Sequence, residues 1–90
     1  MLETEIKIIN PLGLHARAAA QLVNLAGKFS SRIIIRRTDK NLFADAKSIL
    51  SVLTLAASKG TILTLEVDGV DETKAFEEIK TLFANGFGEL

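Results

Sequence analysis

The sequence has no cysteine, which removes disulfides, thiolate nucleophiles and cysteine-bound metals from consideration. It has a single histidine, which excludes metal sites built on several imidazoles, HExxH among them. Proline occurs once, and tryptophan and tyrosine not at all. Charge of neither sign prevails: eleven basic residues balance eleven acidic ones, so the basic excess of a nucleic-acid-binding domain is missing. No apolar run approaches the ~20 residues that a membrane span requires. The opening MLETEIKIIN is acidic and alternating, unlike a secretory leader, so a cytoplasmic location is expected. What remains is a chain of 90 residues, 48% hydrophobic and 24% charged. That composition suits one folded domain over residues 1–90 and does not suit a disordered segment.

Two hydrophobic periods divide the chain. LETEIKII alternates, with Leu2, Thr4, Ile6 and Ile8 on one side and Glu3, Glu5 and Lys7 on the other, which predicts a half-buried strand. NPLG is turn chemistry. From Ala16 to Lys28, Ala19, Leu22, Val23 and Ala26 recur at helical spacing, with Gly27 near the stop. RIIIRR (Arg32–Arg37) predicts a second strand, TDKN a turn, and NLFADA a weaker third strand at an edge. SILSVLTLAAS suits a helix with Ser48 as its N-cap. TILTLEV (Thr61–Val67) alternates again, with Leu63, Leu65 and Val67 on one face. In the last helix Asp71 is expected to cap, Val70 to staple against Ala75, and Ala75, Phe76, Ile79, Leu82 and Phe83 to form the buried stripe, before Asn85-Gly86 ends it. The order β-α-β-β-α-β-α, with one-faced strands and amphipathic helices, predicts an α+β two-layer sandwich. A mostly antiparallel four-stranded sheet would carry three helices on one face.

The chemically richest stretch is NPLGLHARAAA, Asn10 to Ala20, which gathers the only proline and the only histidine with an arginine just beyond. With a helix starting at about Ala16, His15 stands at or just before the N-cap. There the first backbone N–H groups have no partner within the helix, and the macrodipole places about half a positive charge. Such an end accepts anions. The same field disfavours a further positive charge on the ring, which keeps a lone pair available. Arg17 adds a permanent cation whose planar fork suits phosphate oxygens, and Gly13 allows close approach of backbone and partner. The amides of Ala16, Arg17 and Ala18 form the expected phosphate cradle. Nucleophile, cradle and clamp together suffice for histidine attack on a phosphoryl group, because phosphoryl transfer is mostly positioning and charge stabilisation. Plainer readings of the same residues exist: a histidine that only caps the helix, a solvated Arg17, an alanine run that reflects helix propensity, and Asn10 as a turn former.

GLHAR, followed about thirty residues later by AKSILSVLTLAASKGTILTLEVDGVDE, resembles the HPr family, the histidine-containing phosphocarriers of the bacterial phosphoenolpyruvate-dependent sugar phosphotransferase system. The similarity runs from about Lys7 to Gly88. It implies an open-faced β-sandwich and no cofactor or metal. His15 is similar to the family's phosphorylated histidine, which takes phosphate on Nδ1 from Enzyme I and passes it to Enzyme IIA proteins. Arg17 is similar to the arginine of the family's active centre. Ser48, in KSI, is similar to the serine modified by HPr kinase/phosphorylase. Leu14, Ile49, Leu50 and Leu53 match the apolar surface where partners dock, with Arg17 and Lys28 as a basic rim. One departure matters: the family usually reads GLHARPA, and here Ala18 stands in place of the proline. The loop TDKNLFADA also runs about two residues longer than usual, which leaves the register of the third strand open.

The resemblance implies a monomeric phosphoryl carrier, a substrate of enzymes more than an enzyme, with no nucleic acid and no direct membrane insertion. The alternative is a regulatory paralogue, of the nitrogen branch or signalling through Ser48, that acts mainly by protein–protein interaction. An unrelated small α+β binding domain would leave GLHAR and KSI as coincidence. A stand-alone hydrolase is disfavoured because no second general base lies near His15 in the sequence.

Overall fold

The alternation of apolar and polar residues at the chain start becomes strand β1 (Leu2–Lys7), in which Leu2, Thr4 and Ile6 are half-buried and Glu3, Glu5 and Lys7 exposed. The computed structural model describes residues 1–90. β2 (Arg32–Arg37), β3 (Leu42–Asp45) and β4 (Ile62–Asp68) complete a four-stranded sheet of order β1-β4-β2-β3. Every pairing is antiparallel, with Thr4 opposite Leu65, Ile35 opposite Leu65 and Ile35 opposite Ala44. That register fixes β3 as an edge strand and answers the question left by the longer loop before it. The loop itself closes through a 3₁₀ turn at Thr38–Lys40 and a left-handed Asn41.

β1 and β2 run alongside each other with β4 inserted between them, and helix α1 (Ala16–Ala26) makes the crossover. This is a split β-α-β arrangement. α1, α2 (Ile49–Leu53) and α3 (Glu72–Ala84) lie on one face. Ile33, Ile35, Leu63, Leu65 and Val67 from the sheet meet Ala19, Leu22, Ala26, Ala75, Ile79 and Phe83 from the helices in one core. Fully burying a side chain such as Leu22 or Ile79 contributes about 1.5–3 kcal/mol. The opposite face stays open, and on it Arg36 pairs with Glu66 and lies over the Phe43 ring.

α1 ends at Ala26 with Gly27 as its C-cap, where the sequence pattern puts the stop. The other elements follow the pattern with three corrections. α2 is a single turn: after Leu53 the burial alternates, Leu55 and Ala57 inward and Ala56 outward at φ +48°, and a helix cannot supply that alternation. Val70 is 93% exposed, so no staple forms with Ala75. Asp71 occupies the N-cap position of α3 but makes no capping bond. Its carboxylate instead accepts from the Ser30 amide (2.8 Å), the Ser31 amide (2.9 Å) and the Ser31 hydroxyl (2.5 Å), tying the start of α3 to the segment before β2. The Ser31 hydroxyl and then the Ser30 amide hold the Asp71 carboxyl below its ordinary value of 3.8.

α3 ends at Ala84 with Asn85 as its C-cap, as the Asn85-Gly86 pair predicts, and the chain continues beyond it. It makes a 3₁₀ turn, Gly86–Gly88, in which Gly86, Phe87 and Gly88 all have positive φ (58°, 56° and 76°). The Phe87 ring is buried edge-to-face on Phe83, with centroids 4.9 Å apart. This anchored turn carries the last residues back to the end of the sandwich where α1 begins.

Candidate functional site

The loop before α1 is built around Asn10 and Gly13. Gly13 takes φ +68°, and a β-carbon there would lie 2.6 Å from the Ala57 carbonyl oxygen, so glycine is required on both counts. The Gly13 amide donates to the Asn10 carbonyl (3.1 Å) and the Leu14 amide to the Ala57 carbonyl (2.8 Å). The buried Asn10 side chain donates from Nδ2 to the Gly13 carbonyl at 2.7 Å. These contacts set the backbone of His15 at φ −79°, ψ −179°, an extended N-cap conformation directly before α1.

At that position Nδ1 of His15 accepts from the Arg17 amide at 3.2 Å. The ring therefore caps the helix through Nδ1, and the lone pair of that atom points to the helix N-terminus. The other nitrogen, Nε2, lies 2.5 Å from Oε2 of Glu89. The second carboxylate oxygen, Oε1, accepts from Asn10 Nδ2 at 2.9 Å. The Asn10 hydrogen bond first, and then the His15 hydrogen bond and the Arg17 charge, hold the Glu89 carboxyl below its ordinary 4.5, against some desolvation. The His15 side chain is 27% exposed and opens onto a shallow pocket lined with Pro11, Leu12, Arg17 and Glu89. No three His, Cys, Asp or Glu side chains converge, so nothing is arranged to hold a metal ion.

The structure thus brings His15, Arg17 and the Ala16 amide together as the spacing requires. Other expected site residues are placed differently. Ala18, expected in the phosphate cradle, is wholly buried within α1, so of the three expected cradle residues only Ala16 and Arg17 are exposed. Leu14 is only 5% exposed and belongs to the core, which removes it from the docking surface. Leu50 projects outward at 75% exposure, Ile49 is exposed and Leu53 packs partly against the core. Ser48 caps α2, its hydroxyl accepting weakly from the Ser51 amide at 3.4 Å. Glu89, Asn10 and Leu12 were not expected at the site. Leu12, 72% exposed beside His15, carried a readable signal, an apolar residue held in a turn between Pro11 and Gly13. Glu89 carried none.

Fold and site define a small α+β domain that presents one histidine to solvent at a helix N-terminus. The family model for the PTS HPr component phosphorylation site matches residues 2–85. The phosphocarrier protein HPr of Cupriavidus necator is 49% identical over 89 residues, covering 99% of this chain and 98% of its own length. That of Pseudomonas aeruginosa is 45% identical over 85 residues, covering 94% and 93%. The crystal structure of HPr-C-His from Thermoanaerobacter tengcongensis matches with a TM-score of 0.93 at 40% identity, over 100% of this chain and 99% of that one. The chain belongs to the HPr family, the phosphocarrier proteins of the phosphotransferase system. No helix is long and apolar enough to cross a membrane.

Proposed function

We propose that His15 is the residue that carries the phosphoryl group, accepting it from the phosphohistidine of Enzyme I and passing it to Enzyme IIA proteins. One observation carries this reading: Nδ1 bears a lone pair on a half-exposed ring at the N-terminus of α1. In the step, the Nδ1 electron pair forms the bond to phosphorus, and the donor's N–P bond breaks with its electrons returning to the donor imidazole. The transferred oxygens then face the Ala16 and Arg17 amides, the positive end of α1 and the Arg17 guanidinium. Transfer to the acceptor reverses these roles, so the protein is a phosphorylated intermediate and not itself a catalyst. Its partners dock over Leu12 beside the ring and over the exposed Ile49 and Leu50 of α2, and it works as a monomer in the cytoplasm. Ser48 is a regulatory acceptor for an ATP-dependent HPr kinase/phosphorylase. A phosphate there adds a charge of about −1.5 to −2 next to the docking surface and weakens partners that bring acidic groups to it.

Incubation with phosphoenolpyruvate and Enzyme I should give an acid-labile, base-stable phosphate that is absent in His15→Ala. Label that persists in the variant would rule out His15 as the carrier.

A further inference from the structure

Glu89 lies 74 residues from His15 in the chain and outside the residues that the family model matches, yet its side chain makes the closest polar contact to the ring. Three features place it there. The turn before it holds three consecutive positive-φ residues, and one of them, Phe87, is not glycine. A non-glycine residue keeps that conformation only where its surroundings over-determine it, and here burial against Phe83 does so. The Asn10 amide fixes the carboxylate from the other side through Oε1. Asn10 is fully buried, and its Oδ1 has no hydrogen-bond partner, so this residue is committed as a donor to Glu89 and Gly13 at the expense of its own acceptor. A buried polar atom left unpaired is unfavourable, and the contact it allows is the one to the carboxylate beside His15.

We propose that Glu89, oriented by Asn10, is the positioning residue of the phosphoacceptor histidine. It holds the imidazole proton on Nε2 and thereby reserves the Nδ1 lone pair for phosphorus. The proposal rests on the reading of His15 as the acceptor and adds what aims and poises it. In a neutral imidazole one nitrogen donates and the other accepts. Nδ1 accepts from the Arg17 amide while Nε2 faces a carboxylate, which can only accept. Both contacts select the same tautomer. When Nδ1 bonds to phosphorus and the donor's bond breaks with its electron pair, the proton stays on Nε2 and the ring acquires positive charge. Glu89 lies against that charge, and Arg17 is the other charged group facing the site. On return transfer the Nε2 proton remains, which keeps the ring a good leaving group. Glu89 acts through His15 and touches no phosphoryl oxygen.

The test compares the wild type with Glu89→Gln and Glu89→Ala, each first checked for an unchanged circular dichroism spectrum and melting temperature. Nitrogen-15 shifts of the His15 ring should show the Nε2–H tautomer in the wild type and in Glu89→Gln, whose amide oxygen can still accept. Glu89→Ala should show a mixture. Phosphoramidate, a small phosphoryl donor that needs no protein partner, should modify His15 in Glu89→Ala roughly 10- to 100-fold more slowly, the worth of one charged hydrogen bond, with Glu89→Gln in between. With Enzyme I the loss should fall on kcat and leave KM unchanged. An unchanged tautomer ratio and an unchanged phosphoramidate rate in Glu89→Ala would overturn the proposal. So would a loss confined to KM for Enzyme I, which would make Glu89 a docking contact. Failure of Enzyme I to phosphorylate the wild type would instead remove the assigned donor and leave the tautomer and phosphoramidate results to decide on Glu89.

Discussion

Ala18 occupies the first turn of α1, where HPr-family sequences usually carry proline. Its amide makes no hydrogen bond within the chain, so the N–H that proline lacks is not needed there, and proline's fixed φ suits a first helical turn. The side chain is wholly buried, and its neighbours must admit the larger ring. Ala18→Pro should therefore fold, and its rate of phosphorylation by Enzyme I should stay within roughly a hundredfold of the wild type. A larger gain, measured by single-turnover transfer, would mean that the native centre is impaired. Gly13 tolerates no such exchange, since both its left-handed backbone and the Ala57 carbonyl exclude a side chain. The alanine is thus a replacement within what a helix start allows, and the glycine is set by the loop that aims the histidine.

At the level of elements, the ends of α3 matter more than its length. At its start Asp71 fastens the helix to Ser30 and Ser31, across the gap to β2. The folded-state pKa of Asp71 lies below its ordinary 3.8. Its stabilising contribution is therefore complete above that value and is lost as pH falls through the lower folded value. Asp71→Ala should be less stable than the wild type in urea near neutrality, and the difference should shrink on acidification below pH 3.8. A gap that stays constant into strong acid would show that the carboxylate charge is not what holds the contact. At the other end of α3 the anchored turn decides where Glu89 falls. α2 contributes by brevity: ending at Leu53 lets Leu55 and Ala57 enter the core and puts the Ala57 carbonyl against the Leu14 amide.

On the scale of the whole molecule, the β1–α1 loop, the α2–β4 loop and the C-terminal turn converge at one end of the sandwich, with Leu12 exposed beside His15 and Ile49 and Leu50 exposed on α2. An exposed apolar side chain beside the proposed phosphoacceptor suits the partners proposed for it, which must each reach the same atom. Leu50 is exposed, so Leu50→Glu should leave the melting temperature unchanged while weakening Enzyme I and IIA binding by roughly tenfold or more, as expected for an interface anchor. Calorimetric titration checks this, and unchanged affinity would place the docking surface elsewhere.

The sequence by itself determined the strands and helices, because alternation of period two and recurrence at helical spacing decide which side chains can share a face. It also singled out His15 as the candidate phosphoacceptor, because a lone histidine two residues before an arginine at a helix start has an interpretable field around it. Only the tertiary structure decided that Leu14 and Ala18 turn inward, that Asp71 binds the serines before β2, and that Asn10 and Glu89 hold the ring. The reason is distance along the chain: local periodicity says nothing about which of eleven acidic side chains will reach His15. That outcome depends on the left-handed turn at Gly86–Gly88 and on the packing of Phe87 against Phe83.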